Sequence, residues 1–115
     1  MMKIYISGKI TGLDYQEAFE NFARVEKYLK KIGVQEVFNP MTEVDTMLPY
    51  REQMEFCISN LKKCDMILLQ NNWNESPGCH EELTNAQRFQ KHIRYDRPTD
   101  YHDIEIMLRR EFGHS

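Results

Sequence analysis

Short apolar segments typical of β-strands alternate with longer segments of helical periodicity along this chain. The strand-like segments are Lys3–Ser7, Gln35–Phe38, Asp65–Gln70 and His92–Tyr95. In the first helical segment Asp14 is placed to cap a helix that runs to about Lys31. Strands that alternate with helices at this spacing form right-handed βαβ units. The sequence therefore predicts an α/β fold, a parallel sheet with helices on both faces.

Three further helices and two loops complete the predicted architecture. Apolar residues at helical spacing predict a second helix around Met54–Leu61, a third around Leu83–Phe89 and a terminal helix over Tyr101–Phe112. The segments Met41–Pro49 and Asn71–Gly78 are predicted to be loops. A length of 115 residues is typical of one domain, so we expect a single domain over the whole sequence.

Composition restricts the partners and the compartment. Lys and Arg number 15 against 18 Asp and Glu, and no long basic run is present, so we do not expect a polymeric nucleic acid as partner. The apolar stretches are too short for a membrane span or a signal sequence. The 3 cysteines form no CxxC pair, which is typical of reduced thiols. We therefore expect a cytoplasmic protein without a membrane partner.

Ligands of open parallel sheets bind beyond the carboxyl ends of the strands. Three loops lie there in the predicted fold: Gly8–Gly12, Met41–Pro49 and Asn71–Gly78. The first loop reads G-K-I-T-G, and its glycines allow backbone amides, Lys9 and Thr11 to approach a phosphate. The same residues are also typical of an ordinary strand-to-helix turn, so the loop alone does not decide between the two interpretations.

The segment that leads into the third helix carries the most chemistry. Ser76 and Pro77 fit an N-cap and the first helical position, where free backbone amides favour an anion. Glu82 shares the helix face of Ala86 and should point towards the sheet. We expect the helix end to keep this carboxylate ionised, as a nucleophile requires. In the alternative interpretation Glu82 has no chemical role. It is then an ordinary acidic residue near a helix start, where a negative charge stabilises the helix.

Other reactive side chains indicate no metal or cofactor. Cys79 and His80 are adjacent on a helix, so their side chains diverge by about 100° and are not expected to share a metal ion. Cys57 and Cys64 are typical of small apolar core residues. Trp73 can stack on a base, although a single loop aromatic more often covers the edge of a core.

Together these segments resemble a known family. The motifs are K-I-Y-I-S-G-K-I-T-G, F-N-P-M, L-K-K-C-D and N-W-N-E-S-P-G-C-H-E-E-L-T-N-A. They are similar to those of small phage and bacterial domains of unknown function, of the DUF4406 type, that are related to nucleoside 2-deoxyribosyltransferases. More distantly they resemble 2′-deoxynucleoside 5′-monophosphate N-glycosidases. The resemblance covers about residues 3–95. It implies a three-layer, flavodoxin-like (Rossmann-like) sheet of strand order 2-1-3-4, often with a fifth strand.

The resemblance also implies roles for single residues. Glu82 matches a nucleophile that attacks C1′ of deoxyribose, and Tyr5 matches the tyrosine that orients it. A 5′-phosphate site is matched by two segments: the loop Gly8–Gly12, which contains Lys9 and Thr11, and the serine Ser76. Gly78 belongs to the same motif as Ser76 and Glu82. Cys57 replaces an aspartate that contacts the sugar and assists proton transfer to the leaving base. Asp45, Glu43 or a partner subunit remain as sources of the missing acid.

Two functions therefore remain open. The first is an enzyme that cleaves or transfers the glycosidic bond of a nucleoside or nucleotide through Glu82, with Trp73 or Asp45 contacting base or sugar. The second is a nucleotide-binding or sensing domain without turnover, because a thiol stands at residue 57. The resemblance further implies a homodimer or higher homo-oligomer.

Overall fold

The strands form one parallel sheet at the centre of the molecule. The computed structural model describes residues 1–112, and within them four strands pair in the order β2-β1-β3-β4. They are β1 (Lys3–Ser7), β2 (Glu36–Phe38), β3 (Met66–Leu69) and β4 (His92–Tyr95). The predicted α/β class and strand order 2-1-3-4 are confirmed, and the described residues contain no fifth strand. The last three residues of the predicted domain lie outside the described range.

Five α-helices connect and follow the strands of the described chain: α1 (Tyr15–Lys31), α2 (Pro40–Glu43), α3 (Tyr50–Lys62), α4 (Pro77–Arg88) and α5 (Pro98–Phe112). Asp14 caps α1 as predicted, because its side chain accepts hydrogen bonds from the amides of Gln16 and Glu17. The helix α5 begins at Pro98, before the predicted start at Tyr101. Over residues 1–112, none of the helices has the length and apolar character needed to span a membrane.

Two of the three predicted loops, Met41–Pro49 and Asn71–Gly78, contain a short helical turn. In the first, α2 begins after Asn39, whose side chain accepts a hydrogen bond from the amide of Met41. In the second, a 3₁₀ turn covers Trp73–Glu75. The loop predictions are wrong at these residues. Helices of three or four residues are too short to show helical periodicity in a sequence.

Helices cover both faces of the sheet and give three layers. Alternate side chains of β1 and β3 point to opposite faces, as strand geometry requires. Helices α1 and α5 pack on one face, in a core formed mainly by Ile4, Ile6, Phe22, Val25, Leu29, Met66, Leu68, Tyr101, Ile104 and Leu108. Helices α3 and α4 pack on the other, in a core formed by Tyr5, Phe38, Cys57, Leu61, Cys64, Ile67, Leu69 and Ala86. Tyr5 and Ser7 therefore face α3 and α4.

Candidate active site

A cavity of about 590 Å³ opens at the carboxyl edge of the sheet, next to the end of β1. The strand β1 has β2 on one side and β3 on the other, so the strand order reverses at this point. This is the position at which open α/β sheets bind ligands. The wall is mostly apolar and comes from the loop after β1, from α1, from α2 and the segment after it, and from the first two turns of α3 and α4.

Glu82 lines this cavity and is almost completely buried, with 7% of its surface exposed. One carboxylate oxygen, Oε1, accepts a hydrogen bond from Ser7 Oγ at 2.8 Å. The other, Oε2, accepts a short hydrogen bond from the Tyr5 hydroxyl. Two donors on one strand therefore fix the carboxyl group at the cavity wall.

The charge of Glu82 differs from the sequence prediction. Burial raises the pKa of Glu82 to about 7, although the hydrogen bonds from Tyr5 and Ser7 oppose the shift. Ser76 is the N-cap of α4, so Glu82 lies in the second turn, beyond the first turn over which a helix end acts strongly. The prediction of a fully ionised Glu82 is therefore wrong at neutral pH. Burial also raises the pKa of Tyr5 well above its usual value, with Glu82 and Cys57 adding to the shift.

Ser7 was not recognised from the sequence, although it contacts Glu82 as directly as Tyr5 does. A serine at the end of a strand, before glycine, is common in turns and gives no signal by itself. The signal is the alternation along β1, because Ser7 lies on the same face as Tyr5. Once Tyr5 is placed beside Glu82, Ser7 is the next side chain towards the cavity.

Six of the predicted site residues line the cavity: Gly8, Thr11, Cys57, Ser76, Gly78 and Glu82. The Cys57 thiol is buried, and burial raises its pKa to about 11, so it is neutral. Ser76 caps α4, because its Oγ accepts a hydrogen bond from the Cys79 amide at 3.2 Å. The described part of the chain contains no cluster of three or more His, Cys, Asp or Glu side chains that could hold a metal ion.

Other predicted residues lie outside the cavity wall. The ammonium group of Lys9 is 3.1 Å from Glu75 Oε1, and its backbone amide donates to the Asn72 side chain at 3.0 Å. These contacts join the loop after β1 to the loop after β3. Gly12, with φ of 93°, also lies outside the wall.

The predicted base and sugar contacts also lie away from the cavity. Trp73 packs beside His80 and Tyr95, with ring centroids 5.1 and 6.0 Å away. Asp45 is exposed, and its carboxylate accepts a hydrogen bond from the Met47 amide at 2.9 Å. Neither Asp45 nor Glu43 is part of the wall, so neither is placed to supply the missing acid directly.

Four polar residues of the wall were not recognised from the sequence: Tyr15, Thr46, Tyr50 and Gln53. Tyr50 is the first residue of α3, and its hydroxyl lies against Gly78 of α4. Gln53 follows one turn later, and its Nε2 donates to the Leu48 carbonyl at 2.7 Å. This hydrogen bond fixes the loop before α3. The sequence signal was weak because polar residues are common in the first turn of any helix.

Comparison with known proteins gives a family and a similar fold. Residues 2–95 match the family model described as "Domain of unknown function (DUF4406)". No curated protein matches the sequence. A solved structure of a 2-deoxyribosyltransferase from Leishmania mexicana is similar to this chain with a TM-score of 0.62 and 22% sequence identity. The similarity covers 83% of this chain and 63% of the Leishmania chain, so this chain spans less than two thirds of that enzyme. At this identity the likeness shows the fold.

Proposed function

The chain belongs to the DUF4406 family, and we propose that it cleaves or transfers the N-glycosidic bond of a nucleoside or nucleotide. One observation carries the proposal: the Glu82 carboxyl is held by Tyr5 and Ser7 at the wall of a cavity on the carboxyl edge of the sheet. A buried carboxyl fixed through both oxygens and facing open space is arranged for attack on a bound carbon atom.

In the proposed reaction a Glu82 oxygen attacks C1′ of the sugar. The bond from C1′ to the base nitrogen breaks, the base departs, and a glycosyl ester forms on Glu82. Water then yields the free sugar, whereas a second base yields a new nucleoside. With a pKa near 7, a large fraction of Glu82 is ionised at neutral pH and able to attack.

The 5′ end of the substrate is assigned to the polar end of the cavity. The glycines Gly8 and Gly78 leave space there, and Thr11 and Ser76 supply hydroxyl groups at the cavity wall and at the start of α4. This combination suits a 5′-hydroxyl or a 5′-phosphate of the substrate. Lys9 lies beside this end but is paired with Glu75. A phosphate would have to compete with that carboxylate for the ammonium group, so the proposal includes nucleosides as well as their 5′-monophosphates.

Base release from a panel of 2′-deoxynucleosides and their 5′-monophosphates, followed by chromatography, tests the proposal. We expect release of free base by the wild type and loss of release in Glu82→Gln, which keeps the shape of the side chain without the nucleophile. The matched control is Glu81→Gln, because Glu81 is the neighbouring residue and pairs with Arg51 on the exposed side. Equal rates in wild type and Glu82→Gln would contradict the assignment.

A second candidate is a domain that binds a nucleotide without turnover. The observation that favours it is the neutral Cys57 thiol in the cavity wall, at the position where the family resemblance implies an acid. This candidate predicts that ligands raise the melting temperature while no base is released. Substantial turnover by the wild type would exclude it.

The compartment and the oligomeric state are also part of the proposal. The three buried free thiols are typical of a reducing compartment, and we assign the protein to the cytoplasm. We further propose that it acts as a homodimer or higher homo-oligomer, as the family resemblance implies. Sedimentation of the purified protein tests the oligomeric state.

A further inference from the structure

The proposed reaction needs a proton donor near the leaving base. When the C1′–N bond breaks, its electron pair stays on the base nitrogen, and proton transfer from a positioned side chain lowers the barrier. Cys57 is a poor candidate, because a thiol is a weak hydrogen-bond donor and this one packs in the core with Tyr5 and Phe38. A hydroxyl group in the cavity wall is better suited to this role than the thiol.

The hydroxyl of Tyr50 lies beside the first turn of α4, the helix that carries the proposed nucleophile. A methyl group built on Gly78 would be 3.3 Å from the Tyr50 oxygen and 3.7 Å from Ser76 Oγ. Gly78 and Glu82 are four residues apart on α4, so they share one face of the helix. The phenol therefore lies over the first turn of α4, on the helix face that carries Glu82.

Two further observations indicate a hydroxyl that is free to act on a ligand. Among residues 1–112, no protein group forms a hydrogen bond with the Tyr50 hydroxyl, and 56% of the residue is exposed. Burial raises the pKa of Tyr50, and the charges of Glu81 and Glu82 raise it further. The hydroxyl therefore keeps its proton throughout the neutral range and remains a donor beside an ionised Glu82.

We propose that the Tyr50 hydroxyl is the catalytic proton donor to the leaving base, an inference that rests on the function proposed above. As the Glu82 oxygen bonds to C1′ and the C1′–N bond breaks, the phenol proton passes to the base nitrogen. The base leaves neutral, and Tyr50 becomes a phenolate. When water attacks C1′ and releases Glu82, the proton of that water returns to the phenolate, so the enzyme is restored.

The variant Tyr50→Phe tests this role, because it removes only the hydroxyl. We measure kcat for release of base from 2′-deoxynucleosides and for release of nitrophenolate from 4-nitrophenyl 2-deoxyribofuranoside. Nitrophenolate is a stable anion and leaves without a proton. We expect Tyr50→Phe to lower base release about 10²-fold or more and to change nitrophenolate release by less than about threefold. Tyr28→Phe, which removes a hydroxyl on α1 outside the cavity wall, is the matched control.

The possible results separate the two proposals. Equal base release in wild type and Tyr50→Phe would overturn the role of Tyr50 while leaving the glycosidic activity intact. An equal loss with both substrates would also overturn it, because a structural effect does not depend on the leaving group. A wild type that releases nitrophenolate but no base would contradict a working proton donor. A wild type that releases neither would reject the proposed function together with this inference.

Discussion

The carboxyl group of Glu82 has two features with opposite effects on its charge: hydrogen bonds to both oxygens, and deep burial. The bonds from Tyr5 and Ser7 favour the charged form, whereas burial favours the neutral form and outweighs them. A charge at this position therefore costs folding free energy, and Glu82 is only partly ionised at neutral pH.

This cost predicts a pH-dependent difference in stability between wild type and Glu82→Gln. The pKa of Glu82 is about 7 in the folded protein and near 4.5 in the unfolded chain, so the folded state binds more protons between these values. The stability contributed by neutral Glu82 is present below pH 4.5 and is lost as the pH rises to about 7. As the pH rises from 4.5 to 8, the free energy of unfolding of Glu82→Gln should therefore increase relative to that of the wild type by on the order of 3 kcal/mol.

Urea unfolding of both proteins at several pH values measures this difference. The other titrating groups are common to both chains and cancel in the comparison. A constant difference across the range would show that Glu82 has an ordinary pKa in the folded state.

Ser7 gives a second prediction, on activity. Its hydrogen bond lowers the pKa of Glu82, so Ser7→Ala should raise that pKa further and move the acidic limb of the kcat/KM profile to higher pH. At pH 6 the loss of kcat/KM should exceed the loss at pH 8. Ser59→Ala, at an exposed site, is the control and should leave the profile unchanged. A loss of the same size at every pH would indicate that Ser7 only supports the fold.

At this scale the sequence allowed correct placement of Glu82 in the cavity wall, because helical spacing fixes the face on which a residue lies. It could not give the charge state. That depends on the desolvation of Glu82 by β1, α3 and α4 together, and β1 is far from both helices in the chain. Ser7 was missed for the same reason, since its partner lies 75 residues away.

At the scale of elements, every predicted strand and long helix is present, with ends shifted by a few residues. The long helices show apolar residues at helical spacing, and the strands are apolar runs next to glycine, proline or other turn residues, so both are visible in the sequence. The turns at Pro40–Glu43 and Trp73–Glu75 are too short to show helical spacing. They matter for the site, because α2 contributes to the cavity wall and the 3₁₀ turn presents Glu75 to Lys9.

The ends of β1 and β3 are in close contact, which predicts a strong response to a methyl group at Gly8. A Cβ at this position would lie 2.4 Å from Nε2 of Gln70, whose side chain is buried. The Gln70 amide would have to move, so Gly8→Ala should lower the free energy of unfolding by about 1–3 kcal/mol. In a Gln70→Ala background the same change should cost less, because the methyl group then has room.

A double-mutant cycle from urea unfolding measures the coupling between these two positions. Coupling of about 1 kcal/mol or more is expected for residues in direct contact. Additive effects would show that the two strand ends do not constrain each other.

At the scale of the whole molecule, α5 completes a layer that the family match does not include. The match ends at residue 95, whereas α5 begins at Pro98. Without this helix, the face of the sheet under α1 would lose the cover of Tyr101, Ile104 and Leu108. The Asp96 carboxylate strengthens the junction, since it contacts Arg24 of α1 at 2.5 Å and accepts a hydrogen bond from the Tyr101 hydroxyl at 2.7 Å.

The last prediction follows from this packing. Ile104 has no exposed surface and lies in the core shared by α1, α5 and the sheet, so Ile104→Ala should lower the free energy of unfolding by about 2–5 kcal/mol. His102→Ala, on the exposed side of the same helix, should change it by less than about 0.5 kcal/mol. A single urea transition in both variants, followed by circular dichroism and by Trp73 fluorescence, would show that α5 unfolds with the rest of the molecule. If Ile104→Ala instead matched His102→Ala, or if helix were lost before the fluorescence of Trp73 changed, α5 would be an independent appendage. The sheet with α1, α3 and α4 would then be stable alone.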